Sequence, residues 1–302
     1  MRLLVTGAAG QVGWELGRSL ASLGEVVALS REQCDLSKPR ELPGVIASAK
    51  PDVVINAAAY TAVDRAEQEE ALATRVNGEA AGVLAEAARR LGALLVHYST
   101  DYVFDGTKNS PYSEDDPPHP INAYGRSKLA GERAIVQCGG RYLILRTSWV
   151  YAARGRNFLR TVLRLASERD ELRMVDDQVG APTWARDIAD ATAAIIGQVR
   201  DADGALAPGI INLTAAGATS WCGFARAILD EAEKHPGLLR KRPRLQPIVS
   251  ADYPVPAARP KNSRLCGERL LERFGIALPD WRQSLQQCLL DPALASALMP
   301  GA

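Results

Sequence analysis

The chain has 302 residues, 47% of them hydrophobic and 24% charged, enough to bury a core without disulfides or a structural metal; no periodic glycine or low-complexity tract fits a fibrous or disordered chain. With 36 basic against 35 acidic residues the net charge is +1, which excludes the electrostatic footprint of a protein that binds nucleic acid or an anionic membrane. No apolar run approaches the ~20 residues of a membrane span. The five scattered cysteines (Cys34, Cys138, Cys222, Cys266, Cys288) form no CxxC pair and fit reduced thiols in a cytoplasmic protein. The opening MRLLVTG runs straight into a predicted strand, so no leader is expected.

Short apolar, β-rich runs at 3–6, 26–29, 53–56, 94–99 and 142–146 alternate with helical patterns that include 12–23, 74–91 and 122–137. Strands that are apolar throughout, and not at every second residue, predict a parallel sheet covered on both faces. The fold class is therefore α/β, a doubly wound Rossmann sheet. Helical patterns continue at 158–167, 184–199, 221–234 and 265–274, while the proline-rich stretch 243–260 reads as irregular chain. Residues 1–150 are expected to form the dinucleotide-binding core and 151–302 mainly a substrate lobe, with some segments returning to the core.

The first strand runs into Gly7, Gly10, Gln11, Val12 and Gly13, a glycine-punctuated turn opening the first helix. Glycines there let the backbone approach a pyrophosphate at the helix N-terminus. The second strand runs out into Ser30 and Arg31, with no acid at the ribose-reading positions before Glu32. Arg31 offers a donor fork suited to a 2′-phosphate, which predicts NADPH as the preferred cofactor with NADH also usable. Asp35 and Leu36 are placed to meet the adenine edge. Thr100 and Asp101 follow the fourth long strand, at the carboxyl edge where open α/β sheets bind ligands. Tyr124 and Lys128 are four apart on one predicted helix, so an ammonium can sit beside a phenol and lower its pKa. His97, inside an apolar strand, reads as a satisfied core residue. Trp184 is left unassigned.

The segments GAAGQVGWEL, VVINAAAYTAVDRAE, STDYVFDG, YGRSKLAGE, LRTSWVY, DDQVGAPTWARDIA and ARPKNSRL, in this order, resemble the extended short-chain dehydrogenase/reductase family over nearly the whole chain. The resemblance implies an NAD(P)H-dependent reductase that converts the dTDP-sugar dTDP-6-deoxy-L-lyxo-4-hexulose to dTDP-L-rhamnose, a precursor of cell-surface polysaccharide. It implies Thr100, Tyr124 and Lys128 as a catalytic trio. Ala57, Ala58, Ala59, Tyr60 and Thr61 would lie along the cofactor, and Thr100, Asp101, Tyr102 and Trp149 near the sugar. Arg259, Asn262 and Ser263 would belong to the substrate lobe. The resemblance also implies a homodimer with Mg²⁺ held between subunits by carboxylates of the first helix and of the segment after GAPT. Glu15 is present, but Arg186 stands where an acid is expected, and no metal is assigned. Two other readings stay open: a nucleotide-sugar epimerase or dehydratase on the same fold, and a non-catalytic regulatory subunit similar to the beta subunit of methionine adenosyltransferase.

Overall fold

The computed structural model describes residues 1–201 and 208–294; residues 202–207 and 295–302 of the expected second segment lie outside the described residues. A parallel sheet of six strands contains β1 (Arg2–Thr6), β2 (Glu25–Leu29), β3 (Val53–Asn56), β4 (Leu94–Thr100) and β5 (Tyr142–Thr147), each at a predicted position. The sixth strand, Gly209–Asn212, pairs with β5, and the order is sixth strand, β5, β4, β3, β1, β2. Every residue of β3 and β4 is buried, which is why these runs carry no polar alternation. Leu3, Val5, Ile55, Val96 and Leu145 face the helices Gln11–Ser19 (α1) and Ala185–Asp201. Leu4, Val54, Leu95 and Ile144 share a core with helices Leu42–Ala49 and Ala80–Arg90, so both sheet faces are covered. A second apolar cluster gathers Tyr151, Leu159, Phe224, Trp281 and Leu285 from the later part of the chain.

Several boundaries differ from expectation for local reasons. Within 243–260, Arg244–Ile248 is a strand paired in parallel with Glu171–Val175. Pro247 cannot donate to a ladder, but a two-stranded ribbon leaves each strand one free edge where that loss is tolerated. The helix expected over 74–91 begins at Glu70 and contains a π-helical turn, Arg75–Glu79, before continuing to Arg90. Trp184 is a strand residue, in Thr183–Trp184 paired with Val150–Tyr151, and the helix after it starts at Ala185. The first helix stops at Ser19. The sixth strand, four residues long, and the helix Trp281–Leu289 carry too short a pattern to stand out in the sequence.

Candidate active site

The turn after β1 separates its three glycines by function. Gly7 has φ +71°, and a Cβ there would lie 2.7 Å from Ala58 N; a Cβ on Gly13 would lie 2.1 Å from Gly7 O. Both are required by the approach of backbone to backbone. Gly10 is exposed, with φ −76° and only Gly7 O at 3.2 Å from its would-be Cβ, so the turn itself does not demand glycine there. It caps α1 without any side-chain hydrogen bond, which leaves the N-terminal N–H groups available to an anion. This open cradle fits a dinucleotide pyrophosphate. Gln11 accepts a hydrogen bond from Asn157 Nδ2 at 2.8 Å, and Val12 packs on the core.

At the end of β2, the Ser30 hydroxyl donates to Glu32 at 2.5 Å and holds that carboxyl below its ordinary range. Arg31 is 77% exposed and 3.7 Å from Asp35, free to turn toward a ligand. Asp35 accepts from Ser37 N, whereas the Leu36 side chain is buried in the core and offers a ligand no apolar surface. Past β3, Ala59 and Thr61 are exposed and Ala57 and Ala58 half-buried. Tyr60 is fixed by Asn77: its N–H donates to Asn77 Oδ1 at 2.8 Å, and Asn77 Nδ2 donates to Tyr60 O and Ser127 Oγ. Asn77 stands on the π-helical turn, whose extra residue re-aims a side chain, and so links the cofactor-side loop to the helix carrying Tyr124.

That helix, Ala123–Cys138, starts sharply. Asn122 Oδ1 accepts from Gly125 N at 2.8 Å, Asn122 Nδ2 donates to Ala258 O, and Ala123 N donates to Glu67. A Cβ on Gly125 would lie 2.1 Å from Tyr102 O, so the glycine of YGRSK is what lets the helix seat against the end of β4. Tyr124 then meets Tyr102 edge to face at 5.7 Å. Thr100, the last residue of β4, donates to Asp101 Oδ1 at 3.0 Å and accepts from Tyr102 N. Burial pushes the Tyr124 phenol up to about 12, against the lowering expected from Lys128, while the Thr100 hydroxyl pulls it down. The Asp101 charge adds to the rise. Lys128 is engaged elsewhere: its ammonium donates to Tyr98 O at 2.5 Å and meets His97 Nε2 at 3.2 Å, and burial brings its pKa down to about 8. Asp101 is buried with Oδ2 unpartnered among the described residues, and burial raises its carboxyl to about 7.

The other sugar-side residues converge from three segments. Arg259 forms a two-pronged pair with Asp64, at 3.1 and 2.9 Å, and also bonds Tyr102. Ser263 reaches Asp101, and Asn262 spends its amide on Lys108 O and Ser110 O, so it holds a loop and presents no free donor to a sugar. Trp149 has φ +47°, stacks on Trp221 with ring centroids 3.5 Å apart, and packs so near Gly180 that a Cβ there would fall 2.5 Å from its ring.

The implied Mg²⁺ finds no suitable donor set. The buried Glu15 carboxylate pairs with Arg186 Nε at 3.1 Å and Arg18 Nε at 3.4 Å, and Arg186 Nη2 donates to Asp291 at 2.6 Å. A guanidinium already lies between the carboxylates, and among the described residues no group of three or more His, Cys, Asp or Glu could hold a metal.

A parallel sheet with a glycine turn at its first crossover and a Tyr–Lys pair beside its fourth strand end is the architecture of the nicotinamide-dependent short-chain dehydrogenases/reductases. Residues 1–293 match the model of the RmlD substrate binding domain, and the chain belongs to that family. A dTDP-4-dehydrorhamnose reductase of Burkholderia thailandensis is 59% identical over 96% of this chain and 99% of its own length. One from Escherichia coli K12 is 44% identical, over 96% and 97%. The solved structure of a Bacillus anthracis dTDP-4-dehydrorhamnose reductase in complex with NADP, 33% identical, superposes with a TM-score of 0.86 over 96% of this chain and 99% of its own. A UDP-glucose 4-epimerase of Brucella ovis, 19% identical with a TM-score of 0.78, shares the fold alone.

Proposed function

We infer that the chain is an NADPH-dependent oxidoreductase that reduces the 4-keto group of dTDP-4-dehydrorhamnose to give dTDP-L-rhamnose. The observation that carries this is similarity over the full length to reductases of that name, at up to 59% identity among those compared, in a chain that keeps Thr100, Tyr124 and Lys128 together at one strand end. The bound reduced nicotinamide supplies the hydride. In our reading Tyr124 gives its proton to the sugar oxygen; burial keeps the phenol protonated until then. Thr100 Oγ polarises the same oxygen, and Lys128 holds the nicotinamide ribose. Gly10 and the start of α1 receive the pyrophosphate, and Arg31 the 2′-phosphate. Asp101, Tyr102, Trp149, Arg259 and Ser263 orient the sugar, and the cluster around Tyr151, Phe224 and Trp281 forms the lobe that carries it. No described helix is long and apolar enough to cross a membrane. We assign the enzyme to the cytoplasm, as a homodimer.

The test is to mix the purified protein with NADPH and the keto-sugar nucleotide, follow the loss of reduced-cofactor absorbance and identify the product sugar. Stoichiometric oxidation with formation of dTDP-L-rhamnose is expected; no consumption with this sugar overturns the substrate.

A further inference from the structure

Four buried polar side chains run in file across the sheet, and the reaction as read above uses only the last. Thr6 on β1, Asn56 on β3 and His97 on β4 are register neighbours, and Lys128 reaches His97 from the Ala123–Cys138 helix. All four are at most 2% exposed. Thr6 Oγ1 donates to Asn56 Oδ1 at 2.7 Å, Asn56 Nδ2 meets His97 Nδ1 at 3.0 Å, and His97 Nε2 meets Lys128 Nζ at 3.2 Å. Polar groups in a core are costly unless each is partnered, and a fully partnered chain of them fixes one geometry. Packing alone would be served as well by aliphatic residues at all three sheet positions.

The proton inventory gives the file a direction. With Thr6 donating to Oδ1, the Asn56 amide N–H groups face His97, the arrangement in which Nδ1 accepts. The neutral imidazole then carries its hydrogen on Nε2, pointing at Lys128 Nζ. An ammonium has donors only, so an N–H aimed at Nζ favours the amine. His97 cannot relieve the conflict by charging, because burial and the neighbouring Lys128 hold its imidazole well below its ordinary range. The remaining titratable groups around Nζ do not bind it. Glu132, one turn on, favours the charged form through space but spends its oxygens on Arg146 in two hydrogen bonds; Tyr98 offers Nζ only its backbone carbonyl; Tyr124 is one turn back and Asp101 lies past the strand end.

We propose that His97 is a positioning residue of the reductase: it fixes the place of Lys128 Nζ and biases it toward the amine form, with Thr6 and Asn56 setting which ring nitrogen faces it. The proposal rests on the reading in which Lys128 holds the cofactor ribose. NADPH affinity therefore follows the charge on Lys128 and weakens as pH rises through its titration.

The test is NADPH affinity by fluorescence titration across neutral to alkaline pH, without sugar, in wild type and in His97→Leu, His97→Gln and Thr6→Val. His97→Leu removes the N–H opposing the charge, so the alkaline limb moves to higher pH by about half a unit or more, the equivalent of one hydrogen bond. With sugar present, kcat falls about tenfold because Nζ is no longer held in place. His97→Gln, which can offer an amide N–H at similar reach, restores the limb. Thr6→Val is isosteric and two links from Nζ; it moves the limb the same way by less, which a packing role would not do, and it carries the test if His97→Leu fails to fold. Limbs coincident with wild type in the folded variants, or a glutamine that restores nothing, overturn the proposal. A wild type that binds NADPH yet leaves the keto sugar unreduced refutes the substrate assignment and not this one.

Discussion

Around the 7–13 turn the chain offers a ligand mainly backbone and space, whereas at the end of β4 it offers side chains whose hydrogen bonds are largely taken before any ligand arrives. Gly10 has far less packing reason to be glycine than Gly7 or Gly13, one backbone oxygen at 3.2 Å, and caps α1 without a side chain. Thr100, Asp101 and Lys128 are buried and bonded to one another's surroundings at 2.5 to 3.2 Å. The contrast follows from what each region must do. A pyrophosphate brings its own charge and needs only N–H groups and room. A carbonyl being reduced needs a proton donor held in register with the hydride, and that calls for side chains locked by their neighbours.

The largest expected effect breaks the side-chain region alone. Tyr124→Phe deletes one hydroxyl and almost no volume, so kcat falls by about 10²–10⁴ while NADPH affinity stays within a few-fold of wild type; steady-state kinetics beside a cofactor titration checks both halves. The converse acts on space. Gly10→Val weakens NADPH by about 100-fold, since a side chain stands where the phosphates must come, and leaves the melting temperature near wild type. Gly13→Ala inverts that result: its Cβ would meet Gly7 O at 2.1 Å, so about 1–3 kcal/mol of stability is lost, read by denaturant unfolding.

A fourth test sharpens the comparison through pH. The Asp101 carboxyl has its folded pKa raised by burial from 3.8 to about 7, so between these values the folded state binds more protons than the unfolded chain. Stability contributed by the neutral acid is therefore full below the unfolded pKa and is lost as pH rises through the folded one. Asp101→Asn flattens that decline in unfolding free energy; an unchanged slope in urea titrations at several pH values would mean that another group titrates. The smallest expected effect concerns cofactor choice. NADPH exceeds NADH in kcat/KM by about 10-fold, and Arg31→Ala brings the two near parity, because one charge-assisted hydrogen bond is worth about one to two decades.

The glycine turn, the five early strands and the Tyr124–Lys128 spacing were legible because each signal is local: a residue type, a run or an interval of four. What the sequence hid depends on partners far along the chain. Asn77 looks like any helix residue until the π-helical turn aims it at Tyr60 and Ser127. His97 was readable as a satisfied core residue, but its neighbours lie on other elements, Asn56 on a strand 41 residues back and Lys128 on a helix 31 residues ahead. The direction of the Tyr124 shift differs from the expectation because burial sets it: spacing shows that an ammonium can reach a phenol, but not how deeply the fold buries that phenol or that Tyr98 O and His97 engage the ammonium. Pro247 concealed the strand Arg244–Ile248, since a proline marks where a ladder bond is absent without saying that the opposite edge is paired.

Arg186 ties α1 through Glu15 and the carboxyl-terminal segment through Asp291 with a charge that is part of the polypeptide. A cross-link of this kind is encoded by one codon and present once per molecule. It cannot be chelated or lost on dilution, so this corner of the fold keeps its stoichiometry at any protein concentration.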